Sequence, residues 1–180
     1  MRKRPKSRWA RFSEETNALD YLAKTYFFIQ EARKDVNAWK WVILCVHSAL
    51  YGFAVCALKG TNPANVTNKQ GWLINFPEAI KRCQDPKWMR MTVASKFLQL
   101  TPEQDQSINR LQKEFRNNFE HYVPKLWAIE VSGMPKIISH NLEAVRFLAL
   151  ESGNYAHFNQ SQIIKIKSLI FRSQKLLKKT

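Results

Sequence analysis

Residues 41–58 read WVILCVHSALYGFAVCAL, eighteen positions without a formally charged side chain. That length lies at the lower edge of what crosses a bilayer. The stretch carries His47, Ser48, Tyr51 and Gly52, and it closes on Lys59-Gly60. A lone, short, polar-spotted segment fits a helix buried on most sides better than a membrane span. The expectation is therefore a central bundle helix, without stable membrane insertion. Asn37 is the expected N-cap of this helix and Gly60 its stop.

Outward from it, both flanks read as helical. Ser13 is an N-cap signal, followed by Glu14 and Glu15 where the helix dipole favours acid. Leu19, Leu22, Ala23, Tyr26, Phe27 and Ile29 then recur at helical spacing, to an end near Arg33-Lys34. Residues 61–75 hold Asn, Thr, Pro and Gly and read as a loop. A short helix is expected after Pro77 and another over 87–99. Thr101-Pro102-Glu103-Gln104 is a helix start, with a hydroxyl cap, proline in the first turn and Gln104 at the capping-box position. Its apolar stripe is Ile108, Leu111, Phe115, Phe119 and Tyr122, and Pro124 ends it. Residues 127–131 read as a short extended link. Further helices are expected from about Pro135 to Glu151 and from Asn159 onward. No strand pattern persists and no repeat is visible. The fold class is all-α: an antiparallel helical bundle over 13–180, with an insertion at about 61–100 between its second and third long helices.

The 180 residues carry 29 bases against 14 acids, a formal net charge of +15. Residues 1–12 hold Arg2, Lys3, Arg4, Lys6, Arg8 and Arg11 and no acid. Residues 159–180 hold Lys165, Lys167, Arg172, Lys175, Lys178 and Lys179, again without acid. Twelve of the fifteen net charges thus sit in two terminal segments, an arm and a last helix, on a nearly balanced body. That distribution favours a polyanion partner, RNA above all. Trp9 in the arm could stack on a base or lie at a lipid surface, or simply anchor the arm. Attachment to an anionic membrane surface through Arg2–Arg11 and Trp9 is the weakest of these readings.

Cys45, Cys56 and Cys83 form no C-x-x-C and are odd in number, so neither a disulfide framework nor a cysteine-rich zinc site is indicated. Reduced thiols and a cytoplasmic location fit best. The basic start is not followed promptly by an apolar h-region, which reads against a signal peptide. No GxGxxG, Walker A, HExxH or GxSxG is present, and His47, His121, His140 and His157 lack metal-ligand spacing. No metal or cofactor is expected. A Cys45–His47 nucleophile pair would sit in the most apolar stretch of the chain, the wrong setting for a reactive thiol. His140 and His157 read as cap or turn residues near helix ends. Trp39, Trp41, Trp72, Trp88 and Trp127 are assigned to packing.

One constellation remains, Arg116-Asn117-Asn118-Phe119-Glu120-His121. Asn117 and His121 are i and i+4 and share a helix face with Arg110 and Glu114, opposite the apolar stripe. On a straight helix Arg116 points about 140° away from His121. Convergence then requires an unwound last turn or a second subunit. Histidine can remove the 2′-hydroxyl proton of RNA or protonate a leaving 5′-oxygen, and arginine offers a fixed fork to phosphoryl oxygens. Asn117 would orient His121 or hold a phosphate oxygen. His121 near a helix C-terminus gains stabilisation of its protonated form from the dipole. The same letters also admit a surface Arg116–Glu120 pair and a His121 helix cap.

The segment resembles the Arg-x4–6-His motif of the HEPN (higher eukaryotes and prokaryotes nucleotide-binding) family, including the polar residue after the arginine. Pro124, Lys125 and Trp127 extend the likeness to a bacterial HEPN-like group. So do His47-Ser48-Ala49-Leu50 and Cys56-Ala57-Leu58-Lys59-Gly60. The resemblance implies a helical bundle, a homodimer with two motifs facing one cleft, and metal-independent RNA cleavage leaving a 2′,3′-cyclic phosphate. Arg116 and His121 would be the catalytic pair and Asn117 their support. A role in defence or as a toxin, with an antitoxin or other regulatory protein as partner, goes with the resemblance. The chain departs from the toxin subgroup with His-x-Tyr, since Tyr122 follows His121 directly and position 123 is Val. The alternative is a non-catalytic helical module that holds nucleic acid or a protein through its basic termini.

Overall fold

The computed structural model describes residues 9–60, 62–121, 124 and 126–179. Among these the fold is helical, and the one β contact is an isolated antiparallel bridge between Thr67 and Leu73. Helix α1 spans Glu14–Ala32. Ser13 Oγ accepts the Thr16 N–H at 3.2 Å and Thr16 Oγ1 accepts the Ser13 N–H at 2.9 Å, so two end donors are satisfied reciprocally. Helix α2 spans Trp39–Lys59 and stops at Gly60, whose φ of 49° is costly for other residues. Asn37 is not its cap. Asp35 caps a 3₁₀ turn over Val36–Ala38 that leads directly into α2.

Helix α2 is the axis of the molecule. Val42, Ile43, Val46, Ala49, Leu50, Ala54 and Leu58 are fully buried and cover about half the circumference of the helix, wider than a single amphipathic stripe, while Trp41 on the other side is exposed. Helices α7 (Met134–Leu150) and α8 (Gln160–Leu177) complete a ring of four, with α1 on α2, α2 on α7, α7 on α8 and α8 on α1. Arg172 of α8 lies over the Tyr26 ring of α1, 4.4 Å from its centroid. One contiguous core runs from Ala18 to Leu177. The sequence that looks long and apolar enough to cross a membrane is thus the bundle's core helix, most of it shielded by its neighbours. Inserting it in a bilayer would strip that packing away, which agrees with the expected absence of stable insertion.

Helices α1 and α2 approach closely at Gly52. A Cβ there would lie 2.7 Å from the Ala18 Cβ and 3.1 Å from its Cα. Gly52→Ala gains up to about 1 kcal/mol of helix propensity, but forcing the helices apart costs about 1–3 kcal/mol. The expected net result is a loss of up to about 2 kcal/mol in denaturant unfolding. A gain in stability would show that this seam is slack.

The insertion holds α3 (Phe76–Cys83), capped by Asn75 and packed on α2, and α4 (Pro86–Met89). The helix expected over 87–99 stops at Met89. Ser95 Oγ accepts the Met91 and Thr92 N–H groups, Lys96 N–H donates to Ser152 O, and Leu98 N–H donates to Cys83 O. Tertiary partners thus claim backbone groups that a local helix would have used.

Helix α5 (Pro102–Arg110) starts as expected, with Thr101 and Gln104 forming a reciprocal capping box. It does not continue as a straight α-helix to Pro124. Leu111–Arg116 is π-helical, and a single α-helical turn, α6 (Asn117–Glu120), follows. Helix α5 packs on α7 and the π segment packs on α2.

Candidate functional site

A π turn holds about one residue more than an α turn. On an unbroken α-helix Arg116 would stand about 80° round from Ile108, towards the solvent side. An extra residue returns about 100°, which brings Arg116 onto the packed face. The burial agrees. Leu111 and Phe115 are buried, the Arg116 side chain is only 28% exposed, and its Nε is buried without a hydrogen-bond partner. Arg110 remains on the outside, paired with Glu114 at 2.9 Å.

The Arg116 fork is held from its own helix. Nη1 donates to Asn117 Oδ1 at 3.1 Å, and Nη2 pairs with Glu120 Oε2 at 2.5 Å. The i,i+4 pair that the letters admitted therefore forms. Asn117 supports Arg116 rather than His121. His121 ends α6 with φ −93° and ψ 4°, and its N–H donates to Asn117 O at 3.0 Å. Its side chain is exposed and has no partner among the described residues. The motif thus presents one anchored cation and one free imidazole on consecutive turns. Tyr122, Val123 and Lys125 lie outside the described residues.

The Arg116 charge also reaches a residue that motif reading left aside. His47 of α2 is 5% exposed, its Nε2 has no partner, and its ring lies 4.3 Å from that of Phe76. Burial, and secondly the Arg116 charge, push its pKa from 6.5 down to about 4. His47 is therefore a neutral imidazole within reach of the Arg116 charge, and each side chain has one buried nitrogen unsatisfied. Its place in the second segment that resembles the HEPN-like group was the only sequence signal for it. Four residues on, Tyr51 donates to Ile74 O and sits edge-on to Phe76, which ties the insertion to the same face of α2.

Next to the motif lies a cavity of about 360 Å³ between the start of α2 and the end of α6. Lys40, Phe119, Trp127 and Val131 contribute to its walls. Phe119 and Trp127 rings are 4.7 Å apart, and Lys40 Nζ sits 5.8 Å above Phe119 and 5.0 Å above Trp41. Lys40 makes no ion pair among the described residues. A cation beside two aromatic rings suits a nucleobase and its phosphate.

Other sequence assignments shift. Trp39 is in the core and Trp41, 47% exposed, stacks on Phe28 with centroids 5.9 Å apart, but Trp72 is 73% exposed, so packing does not account for it. His140 is not near a helix end. It lies within α7, and its Nδ1 is 2.8 Å from Ser107 Oγ, which ties α7 to α5. His157 does lie in a turn. Cys45 and His47 are two residues apart on α2 and face different sides. Burial raises the Cys45 thiol to about 11 and Cys56 to about 12, and raises Cys83 as well, so none is an activated nucleophile. No group of three or more potential metal-ligating side chains occurs among the described residues. Arg11 and all six bases of the last segment are exposed, whereas Arg2, Lys3, Arg4, Lys6 and Arg8 lie outside the described residues. Comparison with protein-family models, curated proteins and solved structures finds no match.

Proposed function

We propose that the chain is a metal-independent endoribonuclease of HEPN type. The observation that carries this reading is the π-helical turn. It ends on Arg116, turns that side chain against α2 and leaves His121 open to solvent one turn later. π turns are locally costly and concentrate at functional sites. Here the turn falls on the segment that carries Arg116, Asn117 and His121, residue types suited to phosphodiester chemistry.

In the proposed reaction the RNA 2′-oxygen attacks the adjacent phosphorus while the bond to the 5′-oxygen breaks. The 2′-hydroxyl proton goes to a base and the leaving 5′-oxygen takes a proton from an acid. The products are a 2′,3′-cyclic phosphate and a 5′-hydroxyl. His121, solvent-facing, performs one of these transfers. Arg116 stabilises charge on the phosphoryl oxygens, with Asn117 fixing its fork. Glu120 holds the fork until phosphate replaces its carboxylate. The cavity at Lys40, Phe119 and Trp127 receives the neighbouring nucleotide.

A homodimer supplies the second proton-transfer group. Phe27, Trp41 and Leu126 are exposed apolar surface available for a second copy. The cytoplasm is the proposed setting, in a defence or toxin role with a regulatory protein partner. The test is incubation of purified protein with RNA in chelator, followed by mapping of the ends. Fragments ending in 2′,3′-cyclic phosphate are expected. No cleavage of any RNA tried would remove the proposal.

The exposed bases along α8 favour a second reading, a non-catalytic nucleic-acid-binding module. It requires a salt-dependent RNA affinity that is lost on removal of residues 1–12 in a protein that cuts nothing.

A further inference from the structure

A second cavity, of about 380 Å³, lies at the far end of α2 from the motif's cavity. Gly60, α4 with the residues that follow it, and the turn before α8 enclose it. From His47 to Gly60 is roughly 20 Å along the helix axis. Lys87, Arg90 and His157 line the space, and no carboxylate does. Lys87 and Arg90 are exposed, and neither forms an ion pair among the described residues. Two nearby carboxylates are already used. Glu14 is bonded to Lys59, and Asp85 caps α4 by accepting the Lys87 N–H at 2.8 Å.

The rest of the wall mixes Trp88, Met91 and Ala156 with the polar Asn62, Asn65, Thr92 and Asn154. Trp88 is fixed by the Arg82 guanidinium, 4.1 Å from its ring centroid, and Arg82 is itself held by Glu78 and Asn65 O. Met91 lies beside Trp88 in the lining. At the back, Asn154 Nδ2 donates to Ala57 O and Met89 O, which locks the turn before α8 onto α2 and α4. The chain enters the bundle at this end, since Glu14 opens α1 and bonds to Lys59 next to Gly60. Arg11, two residues before Ser13, is therefore attached at this end of the bundle.

Two cations without an ion pair among the described residues, Lys87 lying 5.6 Å from the Trp88 ring centroid, and a histidine surround a space that also has Trp88 and Met91 in its wall, an arrangement complementary to a phosphate joined to a flat ring. We infer that this cavity is a nucleotide-binding site, with the phosphate on Lys87 and Arg90 and the base against Trp88 and Met91. The occupant is a free nucleotide or one nucleotide of an RNA strand. The inference does not depend on cleavage at Arg116 and His121.

The test uses the full chain carrying His121→Ala, so that no cutting disturbs binding. Affinity for UMP, for AMP and for a labelled single-stranded oligoribonucleotide is measured over a range of salt, with and without Lys87→Ala/Arg90→Ala. Lys165→Ala/Lys175→Ala on α8 removes the same charge elsewhere and serves as the control. The expected result is about tenfold weaker binding for the cavity variant, with a salt slope smaller by about 1–2. The control should change much less. Loss of mononucleotide binding identifies a free nucleotide as occupant, and loss confined to the oligonucleotide identifies a strand contact. Equal losses in the cavity variant and the control, or no binding of either probe, would overturn the inference.

Discussion

His121→Ala is expected to lower RNA cleavage by about 10²–10⁴-fold, the usual range for a lost proton-transfer group. The side chain is exposed and unpartnered, so stability should move by no more than about 0.5 kcal/mol. Arg116→Ala is expected to cost about 10²–10³-fold, as removal of a preorganised donor to the phosphoryl group does. Arg116→Lys should not restore activity. Lysine can neutralise Glu120, but it lacks the planar fork that bonds Asn117 and Glu120 together and would bond a phosphate in turn. Single-turnover cleavage, with circular dichroism as the folding check, measures all three. Full activity in a folded His121→Ala protein would end the nuclease reading.

Acid should weaken the fold through His47. Its folded pKa, about 4, lies below the 6.5 of the unfolded chain, so the unfolded state binds the proton more readily. The neutral form's contribution is complete above pH 6.5 and is lost as the pH falls towards 4. By pH 4.5 the loss reaches about 2–3 kcal/mol relative to pH 7. Glu14, Glu103 and Glu130 have carboxyls held below 4.5, so their contributions fade at lower pH than this window. His47→Gln keeps a neutral polar group and should flatten the dependence between pH 6.5 and 4.5. Urea midpoints at several pH values decide it. An unchanged slope in the variant would mean that His47 is not the titrating group.

Much of the architecture was legible because its signals are local. Ser13, Thr101 and Asn159 each bond to a residue three positions on, so a cap is written in four consecutive letters. The apolar run of 41–58 called for burial of most of its surface, and most of it is shielded, with Trp41 left exposed. At Asn37 the reading failed by two residues, because Asp35 offers the stronger acceptor to a 3₁₀ turn. At 90–99 it failed for a non-local reason, since Ser152 and Cys83 carbonyls accept the N–H groups that a helix would have bonded internally.

The site divides in the same way. Arg116, Asn117 and His121 can be picked out by residue type and spacing, and the terminal charge by counting. Sequence alone also determined an all-α bundle with α2 at its centre, because periodicity, capping and charge are properties of neighbouring residues. Only the tertiary structure decided which way Arg116 faces. A π turn has no local signature and survives where packing across α2 holds it. Only the tertiary structure, too, set His47 within reach of that guanidinium's charge and gathered Lys87, Arg90 and His157 around one space. Those groups are separated by up to some seventy residues of chain, and what joins them is burial of apolar surface between helices rather than any bond that adjacent letters could specify.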